Sequence, residues 1–162
     1  MIIGFSGHQK IDHPERWGWV RDQFAAILRQ RIVGDTRVIL ALAEGGDQAF
    51  AEAAVTLGVP LDVVIPCSRY EERFPDGARA KYRDLLARAA TTVTLEFDKP
   101  SEEAFLAAGI YVTDHCNLLV TLWNGKAAAG KGGTGDVVEY ARSIGRPMIH
   151  VHPDLLAVTG PR

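Results

Sequence analysis

The chain has 162 residues, 47% of them hydrophobic, with a net charge of −2 and a pI near 6.2. That length can bury one good core, which predicts a single domain over residues 1–162. The slight acidity argues against a general nucleic-acid binder, whose footprint is a basic stripe, so nucleic acid is not an expected partner.

Residues 2–6 open the chain as an apolar run of strand length, followed by SGHQK. Residues 14–33 place Trp17, Val20, Phe24, Ile27, Leu28 and Ile32 on one helical face, behind Pro14 near the first turn. A second strand is expected at 37–42, then the turn AEGGD and a helix over 47–58 closed by Gly58. Strand 61–66 precedes a charged stretch with interspersed aromatics, SRYEERFPDGARAKYR. This reads as a solvated connection or as a lid from which Arg69 or Arg73 reaches a ligand. Helix 78–90 and strand 92–97 follow, then SEEAF, a serine cap with acids in the first turn of helix 101–115. Strand 117–123 leads into the glycine-rich stretch 124–135; Asp136 then opens a helix that Gly145 ends, and strand 147–151 comes last.

Strands apolar on both faces, alternating with helices, predict an α/β fold. We expect a Rossmann-like, doubly wound, mainly parallel sheet of about six strands with helices on both faces. No apolar run reaches the roughly 18 residues of a membrane span, and MIIGFSGH lacks the basic start of a secretion signal. Cys67 and Cys116 are isolated thiols without metal-ligand spacing, which fits a reducing cytoplasm. Among the histidines, His150 and His152 share a strand face, but no metal site and no cofactor is expected.

In such sheets ligands bind beyond the carboxyl ends of the strands, where the winding reverses. The loops SGHQK, AEGGD and NGKAAAGKGGT should therefore meet along one edge. In the glycine-rich loop 130–135, Gly132, Gly133, Thr134 and Gly135 offer amides and a hydroxyl, and Lys131 and Lys126 add charge. The loop thus reads as a phosphate seat at a helix N-terminus. It is neither a P-loop nor a GxGxxG turn. Glu44, Gly45, Gly46 and Asp47 form a second glycine turn whose carboxylates suit ribose hydroxyls. Asp47 reads equally as the N-cap of its helix, which leaves Glu44 as the better sugar contact. Ser6 and Gly7 would shape the floor, with His8 beside them, and Trp123 could stack on a base or pack in the core. Glu139 reads either as half of a capping box with Asp136 or as a carboxylate over the sugar.

Three segments carry a family resemblance: IGFSGH at 3–8, LAEGGDQAFAEAA at 42–54, and LLVTLWNGKAAAGKGGTGDVVEYARSIGRPMI at 118–149. With VVIPCSRYEERF and AGIYVTDHC between them, the chain resembles the SLOG superfamily. These are Rossmann-like proteins related to DNA-processing protein A and to the Lonely Guy (lysine-decarboxylase-like) phosphoribohydrolases. The resemblance implies a site for a small-molecule nucleotide or nucleotide derivative at these loops, often a homodimer, and includes ligand-sensing domains of bacterial conflict systems. Its enzymatic branch cuts a base from a nucleoside 5′-monophosphate, and by that analogy Glu139 and Glu44 would be the catalytic carboxylates. The chain departs from that branch's PGGxGTxxE: no proline precedes the glycines, Gly132–Gly133–Thr134 lacks the intervening residue, and Glu139 lies five positions after Thr134. No arginine occurs between Ser101 and Gly130. The expectation is thus a sensor-like binding domain, with an N-glycosidase as the alternative.

Overall fold

The computed structural model describes residues 1–128 and 131–161. Its strands are β1 (Ile2–Gly7), β2 (Arg37–Leu40), β3 (Leu61–Ile65), β4 (Thr91–Thr94), β5 (Leu118–Leu122), β6 (Met148–His152) and β7 (Ala157–Thr159). Between them lie α1 (Trp17–Arg29), α2 (Gly46–Thr56), α3 (Asp76–Ala87), α4 (Glu102–Asp114) and α5 (Thr134–Ser143). The strands form one sheet in the order β4-β3-β2-β1-β5-β6-β7. Every neighbouring pair is parallel except β6 with β7, so the architecture is the expected doubly wound α/β one with an added antiparallel edge.

The apolar runs explain the order. All of β5 is buried, and it lies beside the central β1, with Ile3 of β1 opposite Leu118 and Phe5 opposite Val120. On one face α1, α2 and α3 cover the sheet, and Phe5, Phe24 and Phe50 lock the layers with ring centroids 4.5 to 5.2 Å apart. On the other face α4 and α5 bury Ala108, Val112, Val137 and Ala141 against Ile39 and Leu119. β4 is an edge strand of only four residues with its threonines exposed, and so short an edge offers little ladder to a further chain.

Several boundaries differ from expectation, each for a local reason. The seventh strand was missed because three residues of hairpin after HPDLL carry no strand-length pattern. β2 stops at Leu40 because Leu42 adopts a left-handed φ of 59°, which breaks the ladder. The expected helix 14–33 begins as a 3-10 turn at Pro14–Arg16, and its α-helical part ends at Arg29. Beyond it the Thr36 hydroxyl bonds to Arg31 and Val33 and folds the chain into a turn, leaving Ile32 exposed rather than on the core face. α5 starts at Thr134 with Gly133 as its cap, two residues before the expected Asp136.

Candidate functional site

The winding reverses between β1 and β5, and there the carboxyl ends of the strands open into a cleft of about 640 Å³. Its floor is Phe5, Ser6 and Gly7 from β1, with Ala41, Ala43 and Asp47 from the second strand's exit. One wall is the loop after β5, through Lys126, Lys131, Gly132, Gly133 and Thr134. The opposite wall is apolar and aromatic: Pro66, Tyr70 and Phe74 after β3, and Phe105, Ala108 and Val112 along α4. Tyr70, Phe74 and Phe105 belong to one interlocked cluster, with centroids 4.9 Å apart for the first pair and 6.1 Å for Tyr70 with Phe105.

The fifth-strand loop is held in a defined shape. The Trp123 indole Nε1 donates to the Lys126 carbonyl at 2.7 Å, and Asn124 Oδ1 accepts from the Lys126 amide at 3.1 Å. Trp123 therefore braces the loop from below, packed near His150 and Arg142, and does not line the cleft. His8 Nε2 accepts the Asn124 amide at 3.1 Å, which ties the first loop to the fifth. Gly132 has a φ of 82°, and a Cβ there would lie 2.6 Å from the Glu102 carbonyl oxygen, so only glycine lets the turn press on the start of α4. Asp136 Oδ2 accepts the Gly132 amide at 2.8 Å, which uses one of the amides expected to face an anion. Among the described residues the amides of Gly133 and Thr134 and the Thr134 hydroxyl make no hydrogen bond, and both residues border the cleft. Gly135 is buried beneath Ala128 and lies off the cleft surface. Gly130, at the start of the expected seat, falls outside the described residues.

The second glycine turn is used differently from the expectation. Gly46 donates its amide to the His8 carbonyl at 3.0 Å, and Gly45, at φ 86°, packs on the backbone of Gln9. These contacts lace the first two loops together and leave no amide of Gly46 for a ligand. Glu44 and Gly45 line a neighbouring depression with Trp17, Arg21 and Lys81 instead, so the expected ribose contact at Glu44 is not brought to the cleft. The cap of α2 is Gly45, not Asp47. Asp47 turns inward, and its Oδ2 accepts from the Ala41 and Ala43 amides at 3.2 and 3.4 Å, bracketing the left-handed Leu42. Burial pushes its carboxyl up to about 7, even though the amides of Ala43, Ala41 and Gly7 pull the other way. The same burial, helped by the neighbouring Asp47, pushes the Tyr70 hydroxyl well above its ordinary value.

Glu139 is exposed on the outer face of α5 and does not line the cleft, because Val137 and Val138 take the inward positions of that turn. The carboxylates that do line it are Asp47 and Glu102. The aromatic wall was not foreseen. Its signal was the spacing of Tyr70 and Phe74 inside a charged segment, with Phe105 just behind the SEE cap. Among the described residues no group of three or more His, Cys, Asp and Glu side chains could hold a metal ion. Nor is any helix among them long and apolar enough to cross a membrane.

No protein-family model and no curated protein sequence matches the chain. Solved structures do. DNA processing protein A of Streptococcus pneumoniae aligns at 17% identity over 91% of this chain and 49% of its own, with a TM-score of 0.67. The Helicobacter pylori protein of that name, described for its single-stranded DNA binding mode, aligns at 15% identity over 93% of this chain and 64% of its own, with a TM-score of 0.65. The Moco carrier protein of Chlamydomonas rheinhardtii aligns at 15% identity over 92% and 74%, with a TM-score of 0.51. The chain thus spans about half to two thirds of the length of the two DNA processing proteins. One expectation is corrected here. Nucleic acid was set aside on net charge alone, yet a protein of this fold is one described as binding single-stranded DNA. The chain thus has the Rossmann-like fold of these proteins, in keeping with the expected α/β architecture, and the likeness is one of fold.

Proposed function

We propose that residues 1–162 act as one binding domain whose switch-point cleft takes a nucleotide or nucleotide derivative. The phosphate lies at Lys131–Thr134 and the nucleoside against the aromatic wall. The observation that carries this reading is the meeting, in one cleft of about 640 Å³, of the N-terminus of α5, two lysines and a wall of Tyr70, Phe74 and Phe105. That volume lies within the usual range for small-ligand sites, roughly 300–1,000 Å³. Amides at a helix start favour an anion, and lysine adds charge without needing a basic molecule as a whole. Tyr70 and Phe74 are buried and back that wall, so Phe105, partly exposed, is the ring that meets a base.

An N-glycosidase finds less support, because Glu139 and Glu44 lie away from the cleft and Asp47 is occupied by backbone amides. A second reading has a specific observation behind it: the ligand is the end or a segment of a single DNA strand, as for the Helicobacter pylori protein. One panel addresses both. Thermal shift and calorimetry are run with AMP, ADP, NAD, ADP-ribose, cyclic nucleotides and a short oligothymidylate. A ligand at about 100 times its dissociation constant should stabilise the fold by roughly 2.7 kcal/mol. Failure of every phosphorylated nucleoside and of the strand to shift the melting point of folded protein overturns the reading.

A further inference from the structure

Residues 69–83 carry four arginines, and three of them are spent on holding the segment in place. Arg69 pairs with Glu72 at 2.8 Å. Arg79 reaches back from α3 and donates to the carbonyls of Glu71 and Phe74 at 3.1 and 3.0 Å. Arg83 grips the Glu71 carboxylate with two bonds of 2.9 Å. Under them Tyr70, Phe74 and Tyr82 interlock, with centroids 4.9 to 5.6 Å apart. The fourth, Arg73, makes no hydrogen bond or ion pair among the described residues. Its guanidinium lines the cleft 4.7 Å above the Phe105 ring.

That perch lies beside the glycine turn, since a Cβ on Gly132 would sit 3.2 Å from the Phe105 Cβ. The charges facing this end of the cleft are Arg73, Lys126 and Lys131 against Glu102, and Lys126 is partly engaged by Asp12 at 3.6 Å. The pinned backbone presents an exposed guanidinium to the cavity, resting on the Phe105 ring, with N–H donors that make no hydrogen bond among the described residues. A planar fork matches two oxygens of one oxyanion, while amides at the helix start take the third.

We propose that Arg73 is a specificity-determining residue of the cleft: its guanidinium forks onto the non-bridging oxygens of a terminal phosphate held at Gly133–Thr134. Glu71 acts as a positioning residue through Arg83 and the Arg79-bonded backbone. This rests on the reading of the cleft as a phosphate site. It also narrows the ligand, since Arg73 and Lys131, which form no ion pair among the described residues, match a doubly charged terminal group better than a diester. Such a group is supplied by a free nucleotide or by the phosphorylated end of a strand.

Calorimetry on the full chain tests it with the four nucleoside 5′-monophosphates, their 3′,5′-cyclic forms, and tetrathymidylate with and without a 5′-phosphate. In the wild type at least one terminally phosphorylated probe should bind tighter than its diester or 5′-hydroxyl counterpart. Arg73→Ala should weaken that probe by about tenfold to hundredfold, the worth of a hydrogen bond to a charged group. It should leave the counterpart and the melting point unchanged. Arg73→Lys should restore only part of the loss, and Arg88→Ala, at the far end of α3 and off the cleft lining, should change nothing. Glu71→Gln should weaken the same probe less than Arg73→Ala does, without touching its counterpart. Preference confined to the monophosphates assigns a free nucleotide; preference that extends to the oligomer assigns a strand end. Tight binding of the preferred terminally phosphorylated probe that survives Arg73→Ala overturns the assignment while the cleft remains a binding site. Absence of binding by all probes overturns the assignment and the cleft reading together.

Discussion

Asp47 sets two opposing effects against each other, and their balance can be measured. Amides of Ala43, Ala41 and Gly7 point at its carboxylate and favour charge, whereas complete burial disfavours it. Burial wins, raising the carboxyl from 3.8 to about 7. Between those two pH values the folded chain keeps a proton that the unfolded chain has released. Stability contributed at this site therefore falls as pH rises from about 4 to 7 and is level above that. A rise of a little over three pH units, at 1.36 kcal/mol each, amounts to about 4 kcal/mol. The perturbation is Asp47→Asn, which keeps the shape and cannot ionise, though its amide nitrogen faces one backbone donor and loses that bond. Urea unfolding of both proteins at half-unit steps from pH 4.5 to 8.5 gives the difference in unfolding free energy. Wild type should be the more stable at the acid end and should lose about 3 kcal/mol of that advantage by pH 7. A difference that stays flat, or grows with pH, would mean the three amides outweigh burial and would refute the reasoning.

Four further outcomes follow from particular contacts. Gly132→Ala forces a side chain at φ 82° against the Glu102 carbonyl and should cost about 2–4 kcal/mol by chemical denaturation; a loss under 1 kcal/mol would mean the turn is not pressed on α4. Gly133→Asp puts a negative charge at the cap of α5 and should abolish nucleotide affinity in calorimetry with the melting point nearly unchanged. Trp123→Phe removes the donor to the Lys126 carbonyl, so amides 124–128 should exchange faster while those of β5 keep their protection. Phe50→Ala opens a hole between Phe5 and Phe24 and should destabilise by about 3–5 kcal/mol in urea unfolding.

The sheet was legible because its central strands are continuous apolar runs, and only burial on both faces makes such runs soluble. Residues 118–122 read as interior strand, whereas the crossing of the winding between β1 and β5 that locates the cleft belongs to the strand order and is seen only in the fold. What stayed illegible depends on tertiary partners. AEGGD looks like a ligand turn in isolation, but its Gly46 amide meets the His8 carbonyl and its aspartate meets Ala41 and Ala43. A glycine turn before a helix has the same sequence whether it greets a ligand or its own neighbouring loop. Glu139 stands off the cleft for a rotational reason: Val137 and Val138 take the buried positions of that turn of α5 and leave Glu139 exposed. The aromatic wall is assembled from residues some thirty positions apart, Tyr70 and Phe105, and no local pattern announces that meeting.

Net charge was the least informative number, and the cleft explains why. A total of −2 is an average over a surface, while an anion responds to groups within about a Debye length, some 8–10 Å. Many acids here are spent on local pairs that do not themselves line the cleft: Glu72 with Arg69, Glu71 with Arg83, Asp84 with Arg88, Glu52 with Lys81. Pairing cancels those charges to a distant ligand but not in the sum. At the cleft, Arg73, Lys126 and Lys131 face Glu102, and the buried Asp47 carboxyl, pushed up to about 7, carries only part of its charge at neutral pH. The local balance is positive although the molecule is slightly acidic. A phosphate therefore meets attraction at the mouth of β1 and β5 whether it belongs to a nucleotide or to a strand, and the binding should weaken with salt in proportion to the few cations engaged. A basic stripe is what a protein needs to hold a duplex along its length; one phosphate needs only a lysine, a fork and the start of a helix.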